Sequence, residues 1–396
     1  MKGKRWCLLL ASILMMVMPY AAYGKKTSVR TLDELQRSSQ VSGITIIIKK
    51  HIDLNHATIN LVAGNELTFK GGSLSNGVVV GNDTRLKAVR KNVFHDCTIT
   101  GTWQAECACS TMFDDSMETM ALLTSMTALS PVLRLKANRQ YPIHAQGETL
   151  YAEAIEADGK EKPTLAFHTT SPNVDGLLIR GNNVVLRNLT VTDDYDMAND
   201  ACYGANKQTS GNTISVKGQN NMVESLTIEG CDFRGGTSSS WVASSQTKNC
   251  LVENCTFTGY MADHGVYCSM KVESYQVKNC QLRDITHASG VFKVRTSRNL
   301  RRYDITNVVA HNMNSYLAML ALLETPEAEV TLDRIRVTKD AGNASVFYGF
   351  CFNDETKSLA GHGYNVGKIT LSNCEFVKDM RMKRKITNSR FSQALG

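Results

Sequence analysis

The 396-residue chain has a formal net charge of +7, and its one long apolar run lies within the first 24 residues. Without the cations of that segment, 41 of the 44 basic residues remain against 37 acidic ones, a net charge of about +4. This charge is too small to indicate a nucleic-acid-binding protein. No other apolar run approaches the length of a transmembrane helix.

The first 24 residues have the pattern of a secretory signal peptide. Lys2, Lys4 and Arg5 precede a short apolar run, and small residues at Ala22 and Gly24 predict cleavage before Lys25. Cys7 precedes the apolar run, which argues against a lipoprotein anchor. We therefore expect an exported, soluble protein, either periplasmic or extracellular.

The next segment, 25–110, is predicted to be a β-rich lead-in. Thr31 and Glu34 form a capping box, which predicts a short helix over 31–38. Apolar strand-like segments follow at 44–48, 57–61 and 67–69, and glycine and asparagine mark the turns after them.

The period of apolar residues changes at 113–126. Asp114 and Asp115 precede apolar residues spaced three and four apart, which predicts a capping helix over about 114–126. Repeated strands follow, so we predict a repetitive domain over 111–377. The basic segment 378–396 is expected to be a solvated tail or an end cap.

A short phrase centred on Asn-Cys recurs through the second half of the chain. The column that contains the cysteine falls at Leu189, Cys231, Cys255, Cys280, Val308, Ile335 and Cys374, in steps of 42, 24, 25, 28, 27 and 39 residues. Steps in the twenties built from short strands predict a solenoid, and the two long steps predict lateral loops at 193–210 and 353–365. The asparagines of the phrase are expected to form a ladder at one turn.

Eleven cysteines follow the predicted cleavage site. Several share one column of the repeat, where successive residues would lie about 4.8 Å apart. Three consecutive cysteines in such a column cannot all pair with one another, so we interpret them as small buried side chains. Metal binding is the weaker alternative, since the chain contains no Cys-x-x-Cys motif.

These features together resemble a known family. An acidic pair that opens a helix, the strand pattern of residues 133–143 and the asparagine-rich repeats are similar to secreted pectate-lyase-superfamily proteins of Bacteroidetes-like type. Residues 67–82 are similar to the lead-in of such proteins, although the Gly-Asp-Gly that often precedes the acidic pair is absent. The resemblance implies an all-β, right-handed parallel β-helix with an N-terminal capping helix.

The resemblance also implies chemistry on polysaccharides. Lyases of the family abstract a proton beside a uronate carboxylate with lysine or arginine, often with Ca²⁺, whereas its hydrolases use paired aspartates. We therefore expect a polysaccharide partner, with an acidic-polysaccharide lyase favoured over a hydrolase. The alternative is a non-catalytic glycan-binding or structural envelope protein.

Lys293 and Arg295 are the leading catalytic candidates, because residues two apart share one face of a strand. One repeat earlier, Asp263 and His264 begin the equivalent strand, and Lys271 lies near its end. We expect Lys271 to bind substrate. We expect a groove, with lysine or histidine as the base, to be lined by Lys293, Arg295, Asp263 and His264. The simpler interpretation is a solvated sheet face.

Two further predictions concern binding. Asp193, Asp194 and Asp196 crowd into the first predicted loop, and clustered carboxylates suit Ca²⁺. Turn aspartates without a metal are the alternative interpretation. Trp241 follows three serines and is predicted to be an exposed ring that stacks on sugar.

Overall fold

The computed structural model describes residues 25–87, 89, 91–144, 147–171, 173–195, 211–286, 290–297, 299–323, 328–347, 349–353, 368–376 and 391–393. Within these ranges the structure is all-β apart from two α-helices and one 3-10 turn, and its strands form three long sheets. The predicted signal peptide, most of both predicted loops and most of the predicted C-terminal tail lie outside the described residues.

Sheet A is formed by the lead-in segment. Its strands are β1 (Lys25–Val29), β2 (Ile44–Ile48), β3 (His51–Asp53), β4 (Thr58–Asn60), β5 (Glu66–Phe69), β6 (Ser73–Leu86) and β7 (Phe94–Gln104). Their pairing is parallel, as in β3 with β6 and β6 with β7. The strands of the lead-in therefore pair in parallel, as do the described strands of the rest of the chain.

Sheets B and C share the remaining strands. Sheet B contains β8 (Ala108–Cys109), β9 (Val132–Lys136), β10 (Gln140–Ile143), β12 (Ala154–Asp158), β13 (Thr164–Phe167), β15 (Asn183–Arg187), β16 (Thr190–Asp194), β18 (Val223–Glu229), β19 (Asp232–Thr237), β21 (Thr247–Glu253), β22 (Thr256–Met261), β24 (Ser274–Lys278), β25 (Gln281–Thr286), β27 (Arg302–His311), β29 (Glu329–Thr338), β31 (Lys368–Ser372) and β32 (Phe391–Gln393). Sheet C contains β11 (Glu148–Tyr151), β14 (Leu177–Arg180), β17 (Ile214–Lys217), β20 (Ser240–Ser245), β23 (His264–Ser269), β26 (Phe292–Ser297), β28 (Tyr316–Leu323) and β30 (Gly349–Asn353).

The strand register follows the sequence repeat. Val252 pairs with Val277, and Val277 pairs with Ile305, in parallel strands. Cys231, Cys255 and Cys280 are each at most 1% exposed, and the described cysteines are free thiols. The prediction of small, buried cysteines is confirmed for these three, whereas Cys374 in the same column is only partly buried.

The repeated asparagines have a backbone reason. Asn188, Asn254, Asn279, Asn307 and Asn373 all have φ between 50° and 55°. Asparagine and glycine tolerate this left-handed conformation better than other residues, and Gly230 has φ 62° in another copy of the phrase. The predicted amide ladder is present between Asn307 and Asn279, where Nδ2 donates to Oδ1 at 2.7 Å.

The two helices differ in how well the sequence located them. Helix α1 (Leu32–Ser39) has Thr31 as its N-cap, as predicted. Helix α2 spans Thr119–Leu129, five residues later than the predicted start at Asp114. Its N-cap is Glu118, because both predicted cap residues are engaged elsewhere: Asp114 binds His95, and Asp115 pairs with Lys136.

Candidate functional site

One row of polar side chains runs across the outer face of sheet C. The row lies on the opposite face from buried residues such as Ile179, Val216 and Val294, because side chains alternate along a strand. Strand pairing aligns Tyr151 with Arg180, which aligns with Lys217. Val216 pairs with Ser244, so the residues that follow them, Lys217 and Ser245, continue the row. We call this row the basic strip: Tyr151, Arg180, Lys217, Ser245, Ser269 and Arg295.

The basic strip contains cations, hydroxyls and an aromatic ring, and none of its members is acidic. Tyr151 is 58% exposed, Lys217 and Arg295 are exposed, and Arg180 is half-buried. Successive positions in parallel strands lie about 4.8 Å apart. The strip therefore offers positive charge at three of its six positions on an accessible face.

A tyrosine and a lysine pack together beside the strip. Tyr267 and Lys293 are cross-strand neighbours on the same face, and Lys293 Nζ lies 5.2 Å from the centre of the Tyr267 ring. This is within cation–π distance. Tyr267 is half-buried, whereas Lys293 is only 8% exposed. The two side chains thus form a pair with limited access to solvent.

Strand β23 begins with a buried histidine. His264 is fully buried, and its Nδ1 lies 2.9 Å from the carbonyl oxygen of Gly290. A carbonyl only accepts, so Nδ1 carries the hydrogen. Nε2 then faces Asp263 Oδ1 at 3.0 Å, although the alignment is not that of a hydrogen bond. Burial lowers the pKa of His264 and outweighs the opposing effect of Asp263.

Two buried tyrosines hold the strands that carry this pair. The Tyr275 hydroxyl donates to the carbonyl oxygen of Val266 at 2.9 Å, and the Tyr303 hydroxyl donates to that of Phe292 at 3.0 Å. Both carbonyls directly precede a residue of the pair, Tyr267 or Lys293. Both tyrosines belong to sheet B, so these hydrogen bonds connect that sheet to the strands of sheet C that carry Tyr267 and Lys293.

The structure therefore brings together most of the predicted catalytic residues, with one correction. His264 and Lys293 flank Tyr267, whose ring centre lies 5.3 Å from that of His264, and Asp263 lies beside His264. Arg295 lies on the same face two residues beyond Lys293. However, His264 has no exposed surface, so the prediction that it lines the groove as a base is wrong.

The predicted substrate-binding residues are not part of this cluster. Trp241 is 0% exposed and packs 5.8 Å from Phe233, so the prediction of an exposed stacking ring is wrong. Its indole fills the core beside the stacked rings of Phe233 and Phe257. Lys271 is exposed, two residues beyond the end of β23.

The predicted calcium ligands that the structure describes, Asp193 and Asp194, have different surroundings. Asp193 is 3% exposed and accepts hydrogen bonds from Thr169 at 2.8 Å and Thr213 at 2.7 Å. Asp194 points to solvent and binds His168 Nδ1 at 2.6 Å. Asp196 lies outside the described residues, and no group of three or more candidate metal ligands occurs within them.

Of the six members of the strip, the sequence pattern pointed only to Arg295, and Tyr151, Arg180, Lys217, Ser245 and Ser269 were missed. A signal was present, because Arg180 and Lys217 each precede a glycine at the end of an apolar segment. Aligning Gly181 with Gly218 would have placed both cations in one column.

The sequence matches no protein-family model and no curated protein sequence. None of the helices in the described part of the chain is long and apolar enough to cross a membrane.

Proposed function

We propose that this is an exported protein that binds an acidic polysaccharide along the basic strip. The observation that carries the proposal is the alignment of Arg180, Lys217 and Arg295 with exposed Tyr151 in one row of residues, none of which is acidic. We further propose that sheets B and C, whose strands alternate along the chain, form the faces of one right-handed parallel β-helix, and that sheet A is an additional N-terminal β segment. In that fold the strip would run parallel to the long axis.

The chemistry of a uronate chain fits this arrangement. Its carboxylates recur along the polymer, and arginine binds a carboxylate through two parallel hydrogen bonds. The ring of Tyr151 offers an apolar face to a sugar ring, and the serines at 245 and 269 can exchange hydrogen bonds with its hydroxyls. Exposed charge pairs are screened by salt, so we expect affinity to fall with ionic strength.

Elimination is the second proposal for the same site. Tyr267 and Lys293 lie beside Arg295, and a phenol or amine can remove the proton next to a uronate carboxylate while arginine stabilises the enolate-like charge. The buried His264 would help to position Tyr267 and would not contact the sugar. If the pair does not react, the protein is a non-catalytic glycan-binding or envelope component.

Binding can be tested by affinity electrophoresis or calorimetry of the mature protein with polygalacturonate and alginate, and with dextran as a neutral control. We expect the double variant Arg180→Ala/Lys217→Ala to bind roughly tenfold more weakly. The matched variant Lys248→Ala/Lys278→Ala removes two cations from sheet B and should bind normally. Equal affinity of the two variants, or no binding of either polyanion, would contradict the proposal.

The same samples report elimination through the ultraviolet absorbance of unsaturated uronates, with and without Ca²⁺. We expect Tyr267→Phe and Lys293→Met to abolish any absorbance increase while polysaccharide binding persists. Binding without an absorbance change would reject elimination on those substrates and leave the non-catalytic alternative.

A further inference from the structure

A second cluster of reactive side chains lies on sheet A, away from the basic strip. Strand pairing places Ser73 beside His51 and Ser75 beside Asp53, and Ser75 also pairs with His95 on the next strand. A bridge between Phe94 and Phe113 then brings Asp114 next to His95. Serine, histidine and aspartate side chains thus occupy neighbouring positions on one face.

The ring of His51 spans two serine hydroxyls. Its Nδ1 lies 2.8 Å from Ser73 Oγ, and its Nε2 lies 3.2 Å from Ser75 Oγ. A neutral imidazole carries one N–H and one lone pair, so one of the two serines must donate its proton to the ring. When Nδ1–H donates to Ser73, Nε2 accepts from Ser75. Ser75 is then a hydroxyl paired with a base, and Ser73 orients that base.

A second imidazole is fixed close by. His95 Nδ1 lies 3.0 Å from Asp114 Oδ1, and the centres of the His95 and His51 rings are 5.9 Å apart. Partial burial raises the pKa of Asp114, but hydrogen bonds from Asn92, His95 and the Asp96 backbone outweigh it and hold that pKa below its usual value. The carboxylate therefore accepts the Nδ1 hydrogen and leaves Nε2 of His95 available for a substrate.

Access to the serine limits the ligand. Ser75 is 5% exposed, whereas His51 is exposed at the edge of the cluster. A short acyl group can approach Ser75 while a larger alcohol portion stays outside over His51. Since Ser75 and His95 are cross-strand partners, their α-carbons lie about 4.8 Å apart. The imidazole of His95 therefore lies beside any carbonyl group bound at Ser75.

We propose that Ser75 is the nucleophile of an acyl-transfer site, with His51 as its base, and that the site hydrolyses esters of short acyl groups. Ser75 Oγ forms a bond to the ester carbonyl carbon as its proton moves to His51 Nε2. His51 returns that proton to the alcohol oxygen as the ester C–O bond breaks. Water then attacks the acyl-serine by the same proton route, which releases the acid and restores Ser75.

A fluorophosphonate probe and p-nitrophenyl acetate test this on the mature protein. We expect the probe to label Ser75, as mapped by peptide mass spectrometry, and Ser75→Ala to lose both labelling and ester hydrolysis. His51→Gln should lower the rate roughly a hundredfold and remove the ionisation of the base from the pH–rate profile. Because His51 is exposed, this variant tests the proposal even if Ser75→Ala fails to fold.

Ser42→Ala is the matched control, since the Ser42 hydroxyl in the same segment binds only a backbone carbonyl, that of Ala63, among the described residues. The Ser42→Ala variant should be labelled by the fluorophosphonate probe and should hydrolyse the ester at the wild-type rate. Absence of labelling in the folded wild type, labelling at another serine, or hydrolysis by His51→Gln at the wild-type rate would overturn the proposal.

Discussion

At the scale of single residues, backbone conformation explains the most conspicuous sequence feature. The asparagines of the repeat look like site residues, yet their shared property is a positive φ at a turn between strands. Arg334 has φ 52° in the equivalent phrase, which shows that the turn and not the amide is what the repeat requires. The chemistry lies instead in columns such as the basic strip, where neighbouring residues differ in type.

Asp193 gives a residue-scale prediction. Desolvation raises its pKa to about 7 from 3.8, despite the hydrogen bonds from Thr213 and Thr169. A carboxyl group whose pKa is raised on folding stabilises the fold at pH values below its pKa in the unfolded chain. This stabilisation is lost as the pH rises through about 7. Relative to Asp193→Asn, the wild type should lose on the order of 3 kcal/mol of unfolding free energy between about pH 4 and pH 8.

Urea unfolding across this pH range measures the difference. Asp96→Asn is a suitable control, because Asp96 is exposed and asparagine tolerates its φ of 48°. Parallel pH profiles of wild type and Asp193→Asn would show that Asp193 titrates normally.

At the scale of elements, the sequence predicted helix α1 and the repeated strands, but it placed the start of α2 too early. An acidic pair before an apolar stretch satisfies the pattern of an N-terminus. Asp114 and Asp115 instead bind partners from other strands, at His95 and Lys136. Local patterns do not contain such long-range partners, so the pattern could not separate these aspartates from Glu118.

Helix α2 gives the element-scale prediction. Glu118 accepts from the backbone N–H groups of Met120 at 2.9 Å and Ala121 at 2.8 Å. Loss of this cap in Glu118→Ala should reduce the free energy of unfolding by about 1 kcal/mol. The exposed Glu161→Ala should have little effect in the same denaturation experiment. Equal stability of the two variants would show that the cap contributes nothing.

At the scale of the whole molecule, the interior contains free thiols in a chain predicted to be exported. Nine described cysteines are unpaired, and eight of them are buried. Burial raises the pKa of the Cys97 thiol to about 12, and a protonated thiol is a poor nucleophile. The packed core therefore shields Cys97 and the other buried thiols from solvent.

This leads to a prediction about redox sensitivity. Melting curves of the mature protein with and without reductant should coincide, because none of the described thiols forms a disulfide. At least nine thiols should react with Ellman's reagent after unfolding without reductant, and few before it. Fewer than nine reactive thiols in the unfolded protein would mean that disulfides form among these residues.

The sequence by itself determined the all-β class, the repeat that sets strand pairing, helix α1 and the burial of the cysteine column. These follow from local composition and period, which depend on chain neighbours alone. Only the tertiary structure decided that His264 and Trp241 are buried, that Asp193 and Asp194 face different surroundings, and that Tyr151, Arg180 and Lys217 form one strip. The physical reason is that exposure and cross-strand alignment depend on residues distant in sequence, which pack together only in the folded chain.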